Sequence, residues 1–181
     1  MNRLGASIVL ALVVGLSLGG CSQVKEEGKD KAPAPVRDEQ VVEKRVLDAS
    51  SEIRDAIGLE GKARPWNAFP VKCSGYPSEE NVVNMNHTWT FSGVSDESLE
   101  EAMGRLRKAL PAGGWKIVKD GPDRSQSKAP QIVANSGDGQ VSADIRLFLE
   151  PPGAERSSSI TIFVVSKCFR DGAAGDAADA S

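Results

Sequence analysis

The chain has 181 residues, of which 40% are apolar, 26% charged and 5% aromatic. This composition is that of a globular protein, and the length suits one domain with extensions. The formal net charge of −3 excludes a strongly basic nucleic-acid-binding protein. Three cysteines and one histidine provide ligands for at most one structural zinc site with four Cys/His ligands.

The N-terminal residues predict a secretory leader that ends in a lipidation site. Arg3 gives a basic start, and residues 8–18 form an apolar run that is too short for a spanning helix of about 20 residues. The run ends in Leu18-Gly19-Gly20-Cys21, which resembles the lipobox of bacterial lipoproteins. The resemblance implies cleavage after Gly20, a diacylglycerol on Cys21 and acylation of its amine. An ordinary signal peptide with a chance cysteine is the alternative.

Composition divides the chain into four segments. We expect a lipoprotein signal peptide at 1–20, the lipidated cysteine and a flexible tether at 21–37, one folded domain at 38–170 and a disordered tail at 171–181. The tether is charged and contains prolines, and the tail consists of Gly, Ala, Asp and Ser.

Two helices are predicted in the folded segment. The first begins at its cap, Asp38, and stops at Gly58, with apolar residues at helical spacing between them. Residues 59–84 follow without a period and contain Trp66 and Phe69, so this long segment must pack on another part of the domain. The second helix is capped by Ser95 and ends near residues 111–114, where Pro and Gly occur.

Alternating apolar residues predict strands at 85–91, 115–119, 131–135, 140–150 and 158–168. The order α-β-α-β-β-β-β predicts an α+β fold, with two layers: a mainly antiparallel sheet of about five strands and two helices on one face. Matching the apolar faces of the last two strands pairs Leu147 with Ile162 and Ile145 with Val164.

The cysteines that remain after lipidation predict a disulfide. Cys73 and Cys168 are an even pair in an exported chain, where oxidation is allowed. Their bridge would hold the segment 59–84 to the end of the last strand. A redox-active pair is the alternative, although such pairs usually have the CxxC spacing, which is absent here.

His87 lies on the apolar face of its predicted strand, between Met85 and Trp89. A single inward-facing histidine predicts a hydrogen-bonded core residue in preference to a catalyst or a metal ligand. An enzyme that uses His87 or an acidic pair stays as an alternative.

The face of the sheet opposite the helices is the candidate binding face. Phe148, Phe163 and Val165 fall there together with Arg146, although an open antiparallel face is usually polar. These residues form either a binding patch, in which Arg146 can pair with an anionic group, or a surface covered by the segment that contains Trp66 and Phe69. The cover is favoured because contiguous exposed apolar patches are uncommon on monomers.

The chain has none of the common catalytic motifs, such as a nucleophile elbow, a phosphate loop, an HExxH zinc motif, a dinucleotide fingerprint or a calcium loop. We therefore expect no enzyme, no cofactor and no metal. Its organisation resembles small single-domain envelope lipoproteins of high-GC Gram-positive bacteria, in its lipobox, its charged tether, the segment at 113–118 (GGWKIV) and the closing SKCF at 166–169. The resemblance covers architecture and transfers no site residues.

This resemblance implies an extracytoplasmic protein that an N-terminal lipid anchors to the bacterial cell membrane. We expect a non-enzymatic binding or accessory domain whose partner is an envelope protein or a small ligand, and no nucleic-acid partner. A carrier or sensor of a small apolar ligand, bound between the helices and the sheet, is the alternative. A well-filled core would oppose a carrier, because packed interiors leave few voids larger than a water molecule.

Overall fold

The computed structural model describes residues 32–65 and 67–172, which fall in one compact unit. The predicted leader, Cys21 and most of the predicted tail lie outside the described residues, as does Trp66. Neither helix in the described part of the chain combines the length and the apolar character that crossing a membrane requires.

Both helices begin and end where their caps predict. Helix α1 spans Glu39–Ile57, and the Asp38 carboxylate accepts hydrogen bonds from the backbone N–H groups of Gln40 and Val41. Gly58 ends α1 in the left-handed conformation, with φ 62°, which only glycine adopts at little cost. Helix α2 spans Asp96–Ala112, and the Ser95 hydroxyl accepts from the backbone N–H of Ser98.

The described residues form one mixed sheet of nine strands, in the order β1-β9-β4-β8-β7-β6-β5, while β2 and β3 both pair with β4. All pairs are antiparallel except β1 with β9. The strands are β1 Val36–Arg37, β2 Lys62–Pro65, β3 Phe69–Lys72, β4 Val82–Ser92, β5 Lys116–Pro122, β6 Pro130–Asn135, β7 Val141–Phe148, β8 Ser159–Ser166 and β9 Phe169–Asp171. A 3₁₀ turn at Ser78–Glu80 precedes β4.

The α+β class is confirmed, but about five antiparallel strands was an undercount. The additional strands, β1, β2, β3 and β9, have two to four residues each. They form by hydrogen bonding to β4 or to one another, and a segment this short has too few residues for an alternating pattern. Two of them include residues 36–37 and 171, which composition had assigned to the tether and the tail, so the strands extend beyond both expected domain boundaries.

The helix-facing side of the sheet carries the apolar core. Met85, Trp89 and Phe91 of β4 are buried there against both helices, as their alternation predicts. The predicted pairing of the last strands was wrong by two residues, because Ile145 lies opposite Ile162, and Leu147 opposite Ile160. A shift of two residues keeps every side chain on its face, so the apolar pattern could not detect the error.

Candidate functional site

The predicted binding residues lie together on the open face, opposite the helices. Strand pairing places Phe163 between Thr88 and Asp144, and places Val165 on the same side of β8. Arg146 and Phe148 lie on the open face of β7. All four predicted residues are half-buried. The face is therefore neither an exposed apolar patch nor a fully covered surface.

Arg146 lies over Phe163 and is already paired with carboxylates. Its guanidinium is 5.7 Å from the centre of the Phe163 ring, a distance typical of cation–π contacts. It donates to both oxygens of Asp144, at 3.0 and 2.7 Å, and lies 3.7 Å from the carboxylate of Asp123. Because two carboxylates engage this cation, Arg146 is not free to pair with an anionic ligand.

Further hydrogen bonds extend this cluster, which we call the Arg146 cluster: Arg146, Asp144, Asp123, Gln131 and Lys119. The Gln131 amide donates to Asp144 at 2.7 Å and accepts from the Lys119 ammonium at 2.5 Å. Burial acts to raise the pKa of Asp144, but hydrogen bonds from Arg146 and Gln131 hold it below its usual value. The hydrogen bond with Asp144 in turn raises the pKa of Arg146. Asp144 and Arg146 therefore stabilise each other's charged forms, and the polar groups of the cluster are paired with one another.

Phe69 does not form the cover that the sequence predicts for the open face. It lies in β3 opposite Asn86, on the same side as Val165, but 44% of its surface is exposed. Arg146 instead lies over Phe163, while the contribution of Trp66 falls outside the described residues.

A groove of about 360 Å³ lies on the helix-facing side, between α1 and β4, at the point where the edge of the sheet is interrupted between β2 and β3. Helix α1 contributes residues spaced by three or four positions, which therefore line one side of the helix. The groove is lined by Glu43, Leu47, Ser50, Ser51, Arg54, Ala63, Asn67, Ala68, His87 and Trp89. We call this cavity the α1–β4 groove.

The α1–β4 groove contains buried polar side chains. His87 and Ser50 are 6% and 5% exposed, and His87 Nδ1 hydrogen-bonds the Ser50 hydroxyl at 2.7 Å. Trp89 is 3% exposed, and its indole Nε1–H is buried without a hydrogen-bond partner among residues 32–65 and 67–172. By contrast, the indole N–H of Trp115 donates to Glu52 at 3.0 Å. An unpaired buried N–H costs about 1–3 kcal/mol, so native structures contain few of them.

The sequence indicated only part of this groove. Alternation along β4 predicts that His87 is inward-facing and hydrogen-bonded, as observed. Ser50 was missed, although it falls on the inner side of α1 next to Ala49 and is a polar residue at a buried helical position. No sequence pattern predicts that the indole N–H of Trp89 is unpaired, because its pairing depends on which side chains β2, β3 and α1 bring near the indole.

A second cavity of about 420 Å³ lies beside the N-terminus of α1 and includes Asp38 and Asp138. Its carboxylates already have partners: Asp38 caps α1, and Asp138 accepts from Arg45, Ser136 and the backbone of Gln140. This cavity is larger than the α1–β4 groove, but its paired carboxylates are explained by the local fold. Within residues 32–65 and 67–172, no group of three or more His, Cys, Asp or Glu side chains could hold a metal ion.

The predicted disulfide is confirmed. Cys73 and Cys168 are bonded, with their Cα atoms 6.2 Å apart. Cys73 directly follows β3 and its backbone N–H donates to the carbonyl of Val82, while Cys168 lies between β8 and β9. The bridge therefore ties the interrupted edge of the sheet, beside the α1–β4 groove, to the strands on the other side of β4.

Comparisons with protein-family models, with curated proteins and with solved structures find no match to this chain.

Proposed function

We propose that this protein is an extracytoplasmic lipoprotein, held on the bacterial cell membrane through Cys21, whose folded domain binds a small ligand in the α1–β4 groove. The lipobox-like residues at 18–21 support the anchor. The disulfide is compatible with an oxidising compartment outside the cytoplasm. Trp89 lines the groove, and its buried indole N–H has no hydrogen-bond partner among the described residues; this is the observation that carries the ligand-binding proposal.

The groove favours a small amphipathic molecule. Its volume of about 360 Å³ lies in the range of small-molecule sites. Leu47, Ala63, Ala68 and Trp89 offer apolar contacts, while an acceptor such as a carbonyl or carboxylate oxygen would satisfy the Trp89 N–H. Arg54, on the α1 side, is exposed and lies 4.0 Å from the carboxylate of Asp55, at the limit of an ion pair, so it can also attract a ligand carboxylate. The ligand we propose therefore has one hydrogen-bonding end and an apolar body.

The hydrogen bond between Ser50 and His87 keeps a serine hydrolase as a second candidate, because a serine activated by histidine is a common nucleophile. Ser50, however, lies inside α1 and is buried. Backbone N–H groups inside a helix already donate within the helix, so they cannot stabilise an oxyanion at this serine. We expect a serine-reactive fluorophosphonate to leave Ser50 unlabelled, whereas labelling that Ser50→Ala abolishes would favour the hydrolase.

Titration with decanoate, an amphipathic carboxylate, tests the ligand site. In NMR spectra, the indole N–H signal of Trp89, assigned through Trp89→Phe, should move downfield as decanoate binds. Trp89→Phe keeps the ring and removes the donor, so affinity should fall by about tenfold, the worth of one such hydrogen bond. Trp115→Phe is the matched control and should bind like the wild type. A Trp89 signal that decanoate leaves unmoved, or full affinity in Trp89→Phe, would contradict the proposed site.

The anchor is tested separately in cells. Cys21→Ser should abolish metabolic labelling with fatty acids and leave the leader uncleaved by the lipoprotein signal peptidase. Continued labelling of this variant would show that Cys21 is not the lipidated residue.

A further inference from the structure

The open face of the sheet carries an excess of positive charge. Residues paired across antiparallel strands point to the same side, so the register assigns each strand residue to a face. Among the described residues of the strands and the Arg146 cluster, the acids on the open face are Asp144 and Asp123, which directly follows β5. The cations on that face are Lys62, Arg64, Lys116, Lys119, Arg146 and Arg170.

The helix layer, on the other side of the sheet, carries an excess of negative charge. Helices α1 and α2 contain more acidic than basic residues, and the whole chain has a formal net charge of −3. The charges are therefore segregated, so that the open face is positive on a protein that is acidic overall. Such segregation produces a surface potential that net charge alone does not reveal.

Three of these cations are available to a partner. Lys62, Arg64 and Lys116 are exposed, and in the described part of the chain they form no ion pair. Apolar side chains accompany Lys62 and Arg64 on the interrupted edge of the sheet, because Phe69 and Val71 of β3 share the open face and are 44% and 40% exposed. Lys116 lies in β5, at the opposite edge. Exposed cations can pair with the negative charges of a surface, while an exposed aromatic ring beside them can enter an apolar layer beneath those charges.

We propose that the open face docks on the anionic surface of a lipid bilayer, with Lys62 and Arg64 contacting lipid headgroups and Phe69 entering the interface. Each lysine or arginine near an anionic bilayer strengthens the binding of the protein to that bilayer, and a few such residues together give measurable binding. The chain from Cys21 to residue 32 spans at most about 40 Å when fully extended, so an anchored domain stays near the bilayer. This reach rests on the proposed lipid anchor, whereas the charge argument does not.

Vesicle binding of residues 31–181 tests the proposal without the lipid anchor. This fragment is a compact unit that contains the whole described core and the disulfide. At low salt it should cosediment with vesicles of phosphatidylglycerol and phosphatidylcholine in a 3:7 ratio, but not with phosphatidylcholine alone. Lys62→Glu/Arg64→Glu should lower the partition coefficient by about 30-fold or more, since each cation contributes about a factor of five.

A matched double variant separates the open face from net charge. Lys44→Glu/Lys108→Glu makes the same charge change on the helices, at exposed positions, and should lower binding by less than about threefold. Absence of binding to anionic vesicles, equal losses in the two double variants or binding that resists 0.5 M salt would each overturn the proposal. These outcomes do not depend on the α1–β4 groove, because decanoate binding is measured in a separate experiment.

Discussion

The Arg146 cluster and the α1–β4 groove lie on opposite faces of one sheet and on different strands, and their polar groups are partnered differently. On the open face, Arg146 and Asp144 each have at least two polar partners. On the helix-facing side, the Trp89 N–H has no partner in the described part of the chain. In the groove, His87 and Ser50 are hydrogen-bonded to each other, so the contrast with the Arg146 cluster is confined to the Trp89 donor.

The difference follows from the side chains that each face can supply. The open face is partly accessible to water, so long charged side chains can lie across it and pair with each other. The helix-facing side is packed with apolar residues, where charged partners are costly to bury. A buried donor left unpaired there indicates a group that the fold alone does not satisfy. A polar cluster whose hydrogen bonds are made within the chain therefore indicates a role in stability. A buried donor without such a bond indicates a site for another molecule.

Removing the disulfide should have the largest effect and should affect the two regions unequally. The double variant Cys73→Ser/Cys168→Ser should lose about 3 kcal/mol of unfolding free energy, because the bridge closes a long loop. Hydrogen exchange should accelerate most in residues 67–72, which border the groove, and least in β6 and β7. Uniform acceleration across the sheet would show that the bridge does not hold the groove edge in particular.

Asp144→Ala should break the Arg146 cluster at its centre. Arg146 and Gln131 would lose a shared acceptor in a partly buried site, which should cost about 2 kcal/mol in urea unfolding. Asp144→Asn keeps one acceptor oxygen and should cost less. Decanoate binding in the groove should stay unchanged in both variants. A loss of decanoate affinity without loss of stability would reverse the roles that we assign to the two regions.

The two buried tryptophans provide the sharpest comparison of satisfied and unsatisfied donors. Trp115→Phe removes a hydrogen bond to Glu52 and should destabilise the domain by about 1 kcal/mol beyond the change in ring size. Trp89→Phe removes a donor that has no partner among the described residues, so thermal unfolding should show less loss than for Trp115→Phe. A larger loss in Trp89→Phe would indicate that its N–H is satisfied in the free protein.

Local chemistry made the helices and the disulfide predictable. Asp38, Gly58 and Ser95 act as caps because their side chains or backbone freedom satisfy the ends of a helix within a few residues. The pairing of Cys73 with Cys168 needed only their number and an oxidising compartment. Alternation along β4 assigned its inner face correctly for the same reason, since it depends on strand geometry alone.

Features that depend on distant parts of the chain escaped prediction. Strands β2 and β3 lack an alternating pattern and are held by pairing with β4, while β1 and β9 pair with each other from opposite ends of the domain. The open-face residues Phe148, Phe163 and Val165 were assigned to the correct side, but the position of Arg146 over Phe163 depends on its pairing with Asp144. The sequence therefore indicated which residues share the open face but not how they are partnered.

The smallest expected effect concerns a third polar cluster, in the turn between β6 and β7. Hydrogen bonds from the Ser136 hydroxyl and the Gln140 backbone, together with Arg45 of α1, lower the pKa of Asp138 to about 2. A depressed carboxyl pKa contributes stability that is complete above about pH 4 and is lost as the pH falls toward 2. Because the Asp138 side chain is about half exposed, solvent screening limits this contribution to about 1 kcal/mol or less.

Urea unfolding at pH 2 to 5 should therefore show a shallower pH dependence for Asp138→Asn than for the wild type. Ser136→Ala, which removes the strongest cause of the shift, should fall between them. Identical pH profiles for the three proteins would mean that this turn, unlike the Arg146 cluster, adds no stability through its charge.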